Sequence, residues 1–275
     1  MSKILLTIIL LSVSCTSLAQ ATTTTDKPTN TNNEPAKNSD KPATDSNQLT
    51  DLEYYLPKAE INKLNASTSV LKLEYNSAIH KGCAILIPDW SLTPTTPKQI
   101  NKLRTRLTKI GFTTLALIPP AIEFTTKTSQ TDGKPEANDY QTKLLAQLQQ
   151  IEQTAATIPG FKLLLVQGIN SSFISEFIAT DKLTAFDAIV LLNAYYPQLK
   201  TNQELAISLA KLTIPVLDIE ILPSNQWQTD ILQLRAETMH KQIKLDYRQQ
   251  QLTLDHNQQQ LFKSIYGWLT ALGWY

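Results

Sequence analysis

Three residue types that could act together on an ester or amide occur in order along this chain: serines at Ser171 and Ser172, an aspartate at Asp218 and a histidine at His256. A serine attacks a carbonyl when a base takes its proton and a carboxylate orients that base. The two serines stand in the run KLLLVQGINSSFISEF, Lys162 to Phe177. There an apolar segment meets a glycine, turns a corner and continues as a helix. Enzymes place a nucleophilic serine on such a corner in the pattern G-x-S-x-G. Here the corner reads Gly168-Ile169-Asn170-Ser171-Ser172, and its central position carries an amide. Asparagine accepts the left-handed backbone that the corner demands. Its side chain has no proton whose removal would create an attacking group. Two readings follow: a corner that has kept its shape and lost its nucleophile, or a nucleophile displaced to Ser171 or Ser172.

Holding these groups in place requires a scaffold, and from Cys83 onward the chain is regular. Short apolar runs, CAILIP (Cys83–Pro88), FTTLALIPP, FKLLLVQG, FDAIVLLNAYYP and IPVLDIEIL, alternate with amphipathic segments such as the one carrying Ile100, Leu103, Leu107 and Ile110. Runs of this kind specify βαβ units whose strands are buried on both faces. The expectation is one α/β domain over residues 49–275, three-layered, with a mostly parallel sheet. Leu52 to Leu64 reads as a short helix broken at Pro57, SVLKLEYN as an alternating strand, and IKLDYRQQQL as the last strand before a terminal helix. Ligands bind such sheets at the carboxyl ends of the strands, which directs attention to the residues after each run.

From Cys83 to Tyr275 the chain resembles the α/β hydrolases. More closely, it resembles an uncharacterised family of exported hydrolase-like proteins of Gram-negative bacteria. AILIPDW, LRTRLTKIGFTTLALIPP, VQGINSS, AIVLLNAYYP, IPVLDIEI, YRQQQL and YGWL carry the likeness. It implies the fold and an envelope location and lends no substrate. In that fold nucleophile, acid and histidine follow one another along the chain, the order of Ser171 or Ser172, Asp218 and His256. Glu220 is the poorer acid because it lies deeper in the strand. One oxyanion donor should be the N–H after the nucleophile, the other an N–H in the loop after CAILIP. That loop reads Asp89-Trp90-Ser91-Leu92 without a glycine, and an ionised Asp89 would repel the charge that develops there. The first reading is therefore a degenerate hydrolase fold serving as a binding or envelope-associated module for a small molecule or envelope component. The alternative is a weak serine hydrolase of esters or amides.

The amino terminus points the same way as the envelope location. MSKILLTIILLSVSCTSLAQA offers Lys3, an apolar run and a small-residue cleavage site, the three regions of a secretory signal over residues 1–21. Residues 22–48 contain no large apolar side chain until after Asn47, as a flexible polar linker requires. The expected destination is the periplasm or the exterior, with lipid attachment at Cys15 the weaker route. With 25 basic and 24 acidic residues the chain has no excess charge with which to hold a nucleic acid. No zinc-ligand spacing, dinucleotide fingerprint or phosphate loop occurs, so no metal or cofactor is expected.

Overall fold

From Cys83 onward each short apolar run of the sequence becomes a strand of a single sheet. The structure, a computed structural model, describes residues 52, 54–65, 68–120, 135–253 and 259–275. The signal, the polar linker and His256 lie outside them. Among the described residues the strands are β1 (Ile61–Lys63), β2 (Ser69–Leu73), β3 (Gly82–Ile87), β4 (Phe112–Leu117), β5 (Phe161–Gln167), β6 (Ala188–Leu192), β7 (Val216–Leu222) and β8 (Tyr247–Thr253). Their order across the sheet is β1-β2-β4-β3-β5-β6-β7-β8. The pairs β1–β2 and β2–β4 are antiparallel, and every other pair is parallel.

Among the described residues the sheet is covered by the helices α1 (Gln99–Thr108), α2 (Pro135–Ala156), α3 (Asn170–Ala179), α4 (Leu199–Lys211), α5 (Gln226–Lys241) and α6 (Gln259–Ala271). Because strand side chains alternate between faces, every central strand feeds two cores. Ile85, Ile87, Leu164, Val166 and Leu191 pack with Leu144 and Leu148 of α2, Ile174 of α3 and Leu205 of α4. Leu86, Leu163, Leu165 and Val190 pack on the other side with Leu103 and Leu107 of α1 and Leu261 and Leu269 of α6. Cys83 is one of these core residues, and burial pushes its thiol up to about 12.

Two stretches differ from the sequence expectation. Leu52, Tyr54 and Tyr55 are helical, but Lys58–Glu60 is a 3₁₀ turn and Ile61–Lys63 a strand rather than a continuation of the helix. Pro57 has no N–H to continue a helix, and Ile61 finds its backbone partners beside Leu71 instead. The last strand begins at Tyr247 rather than Ile243. Ile243 has φ +52, and Tyr247 N–H closes a turn onto the Lys244 carbonyl.

The topology also creates a crevice. After β3 the chain leaves toward α1 on one face, and after β5 it leaves toward α3 on the other. β3 and β5 are neighbours. Connections that part in opposite directions from adjacent strands open a cleft at their carboxyl ends. Among the described residues no helix is long and apolar enough to cross a membrane.

Candidate functional site at the ends of β3 and β5

β5 keeps its pairing with β6 through Gln167, and Gly168 N–H still donates to the Leu192 carbonyl at 2.9 Å. The chain must then turn at once. It does so at Gly168, whose φ is +66, while Ile169 already has helical angles of −60° and −35° and Asn170 opens α3. The left-handed residue of the corner is thus Gly168, not Asn170. A glycine bears this conformation without the steric cost of a Cβ.

Asn170 has a different part in the corner. It is fully buried, its Nδ2 donates to the Pro88 carbonyl at 2.8 Å, and its Oδ1 accepts from the Tyr140 hydroxyl at 2.8 Å. One amide therefore ties the end of β3, α2 and the start of α3 together. Both its polar ends are bonded, as a buried amide requires.

Asp89 follows the end of β3 and packs against the turn after β5. Its Oδ1 accepts two backbone hydrogen bonds, from Trp90 N–H at 2.9 Å and from Ile169 N–H at 3.1 Å. With Gly168 as the apex, these donors are the residue after the apex and a residue of the loop after β3. Those are the two places from which an α/β hydrolase assembles its oxyanion hole. Here the pair grips the protein's own carboxylate. A Cβ added to Gly168 would lie 2.2 Å from Asp89 Cγ, so the carboxylate fills the space into which a side chain at the apex would project. Burial raises the Asp89 pKa above its ordinary 3.8, opposed by the two backbone bonds and by attraction from Lys98. The phenols of Tyr140 and Tyr195 are raised by burial first and then by the charge on Asp89.

The remaining sequence candidates lie in other surroundings. Ser171 Oγ donates to the Val166 carbonyl at 3.3 Å, and Ser172 Oγ to the Tyr195 carbonyl at 3.1 Å; both serines are buried in the first turn of α3. Asp218 is fully buried on the α5 side of β7. Its Oδ2 lies 2.7 Å from Arg235 Nε and accepts from the Tyr247 hydroxyl at 2.7 Å. Arg235 also donates to the Ala194 carbonyl at 2.8 Å. Glu220 accepts from Gln251 at 2.8 Å. His256 lies outside the described residues. The structure thus brings together Asp89, Trp90, Gly168 and Asn170, and gives Asp218 a cationic partner of its own.

Sequence reasoning missed Ile169, Tyr140 and Arg235. The first acts through its backbone, which no residue type reveals. Tyr140 carried a faint signal as the first aromatic of its helix. Arg235 stands seventeen positions from Asp218, and only the fold joins them.

A mostly parallel eight-stranded sheet in this order, with a glycine-apex turn after β5 and paired donors at the crevice, defines an α/β hydrolase fold. The chain belongs to the family described as Protein of unknown function (DUF3530), which matches residues 2–143 and 122–271. Among solved structures it is similar to the carboxylesterase Cest-2923 from Lactobacillus plantarum WCFS1, with TM-score 0.56 and 12% identity over 78% of this chain and 98% of that one. It is also similar to a thermophilic esterase, Est2, from Thermogutta terrifontis, with TM-score 0.54 and 10% identity over 78% of this chain and 92% of the other. A thioesterase domain from the curacin biosynthetic pathway has TM-score 0.50 and 11% identity over 72% and 92% of the two chains. At these identities the likeness concerns the fold. No curated protein sequence matches the chain.

Proposed function

We propose that this protein is a non-catalytic member of the α/β hydrolase fold, an exported binding or envelope-associated module. The observation that carries the reading is Asp89 Oδ1 bonded to both Trp90 N–H and Ile169 N–H. An oxyanion hole works by offering preorganised donors to charge that develops in the transition state. Donors already taken by the protein's own carboxylate oxygen cannot do so, and its charge, where ionised, repels the intermediate. The glycine at the turn's apex supports the same reading, because the geometry that would raise a nucleophile carries no side chain. So do the inward-directed hydroxyls of Ser171 and Ser172. The signal-like residues 1–21 and the polar 22–48 support export, with a small molecule or envelope component as the partner.

A serine-reactive fluorophosphonate tests the catalytic half of the proposal. The purified protein should remain unlabelled under conditions that label an esterase stoichiometrically. Stoichiometric labelling that disappears in Ser171→Ala or Ser172→Ala would overturn it. Amino-terminal sequencing of the mature protein from cell fractions tests export, and a chain still beginning at Met1 in the cytoplasm would count against it.

A further inference from the structure

We propose that the free edge of β8, with the groove between it and α5, binds an extended segment of a partner polypeptide. That segment carries apolar side chains at alternate positions and an acidic residue at its carboxyl end. The surface is separate from the crevice at β3 and β5, so the inference goes beyond the reading above. β8 closes one side of the sheet and pairs with β7 alone among the described residues. The strand at the opposite side, β1, has three residues, whereas β8 has seven and contains no proline. The ladder to β7 fixes which backbone groups of β8 are used. Val216 N–H donates to the Asp246 carbonyl at 2.9 Å. In a parallel ladder alternate residues face the same neighbour, so Arg248, Gln250 and Leu252 turn their N–H and C=O groups to β7. Those of Gln249, Gln251 and Thr253 point outward, and no described residue bonds to them. A row of such groups is a template for another strand.

The groove beside that edge takes side chains. α5 runs over β7 and β8: Arg235 meets Asp218, and Gln249 Nε2 donates to the Leu232 carbonyl at 3.1 Å. The last turns of α5, the loop after it and the start of β8 border a groove of about 460 Å³, with Met239, His240, Ile243, Leu245, Tyr247 and Gln249 in its lining. Ile243 and Leu245 are 75% and 91% exposed there. A strand laid along β8 sends every second side chain to this face of the sheet, the spacing at which apolar groups reach Met239, Ile243 and Leu245. The charges set the character of its end. Lys244 is paired with Asp246 at 2.7 Å, whereas Lys241 in the last turn of α5 and Arg248 in β8 make no ion pair among the described residues. Antiparallel pairing is the more stable, and it brings the carboxyl end of the partner strand beside the start of β8, where its negative charge meets these cations. A second copy of the chain fits less well. Paired with itself about Gln250, β8 would set Gln251 and Thr253 of the copy against Gln249 and Tyr247, and the apolar lining would gain no apolar partner.

The test uses the whole mature protein labelled with ¹⁵N and titrated with an acetylated heptapeptide in which threonine and valine alternate before a terminal aspartate. The peptide should shift the amides of Gln249, Gln251 and Thr253 saturably, and more than those of Arg248, Gln250 and Leu252, whose N–H groups are held by β7. An isomer with its valines in one block, and a version ending in lysine amide, should each bind several-fold more weakly. Thr253→Pro removes an outward N–H that β7 does not use, and Leu245→Glu places a like charge on an exposed position. The two variants should keep the spectrum of the folded protein and weaken binding about fivefold or more. Absence of saturation, equal binding of the blocked isomer, or undiminished binding in both variants would overturn the proposal. So would sedimentation as a dimer that Thr253→Pro dissociates, because a second copy would then hold the edge. None of these results depends on fluorophosphonate labelling, so this site and the loss of catalysis can fail separately.

Discussion

Asp89 and Gly168 are fitted to one another: a Cβ at residue 168 would lie 2.2 Å from Asp89 Cγ and 2.3 Å from its Oδ1. A side chain at residue 168 therefore requires the carboxylate to move. Gly168→Ala adds both a collision and an unfavourable left-handed backbone, and should cost about 2–4 kcal/mol of stability. Asp89→Gly removes the obstacle but leaves two backbone donors without their acceptor, at about 1–3 kcal/mol. The double variant should be more stable than the sum of the two losses by about 1 kcal/mol or more. Urea denaturation of the four proteins measures this coupling. Strict additivity would mean that the carboxylate does not fill the space above the turn.

The raised pKa of Asp89 makes a second prediction with a definite sign. Between its ordinary value of 3.8 and the higher folded value, the folded chain holds a proton that the unfolded chain has lost. The stabilisation from that proton is complete below the unfolded value and disappears as pH rises through the folded one. Asp89→Asn carries no such titration and still offers an oxygen to Trp90 and Ile169. Its stability relative to the wild type should accordingly rise as pH increases from about 4 toward neutrality. Denaturation midpoints of the two proteins across that interval check it, and a difference that stays flat or falls would sink it.

The placement of Asn170 leads to a third. A serine there would sit inside the first turn of α3 rather than on the raised apex. Asn170→Ser should remain unreactive toward a fluorophosphonate. Asn170→Ala should lose about 2 kcal/mol or more, because the Tyr140 hydroxyl and the Pro88 carbonyl are buried and would lose their partner. Rapid labelling of Asn170→Ser would restore residue 170 as the apex.

The sheet was legible in the sequence because its strands are buried on both faces and so read as unbroken apolar runs. Cys83–Pro88 and Val216–Leu222 are examples. The crevice was half legible. Asp89 and Gly168 could be marked from their positions after β3 and β5, but the apex was misplaced by two residues. A motif spacing shows where a glycine lies and not which residue bears the positive φ. That depends on β5 holding its pairing with β6 through Gln167 before it turns. The ends of the sheet were harder still. Ile61–Lys63 is a strand because β2 lies beside it, a tertiary cause that local propensity does not carry. Asp218 could be marked as an acid late in the chain, but its partners come from α5 and β8, which the sequence separates and the fold brings together.

That last arrangement yields the fourth prediction. Asp218 and Arg235 are both almost completely buried and lie 2.7 Å apart, with Tyr247 and the Ala194 carbonyl completing the network. Removing one charge strands the other in a medium that solvates it poorly. Arg235→Met should therefore cost about 3–5 kcal/mol, while Arg235→Met combined with Asp218→Leu should recover most of that loss. Tyr247→Phe removes a single bond to the carboxylate and should cost about 1 kcal/mol. A carboxylate meant to orient a histidine would behave otherwise. Its neutralisation would leave stability nearly unchanged, and Arg235→Met would be tolerated. Denaturation of the three variants distinguishes the cases. The expected pattern of a large single loss and a compensating double assigns Asp218 to the joint between β7, β8 and α5.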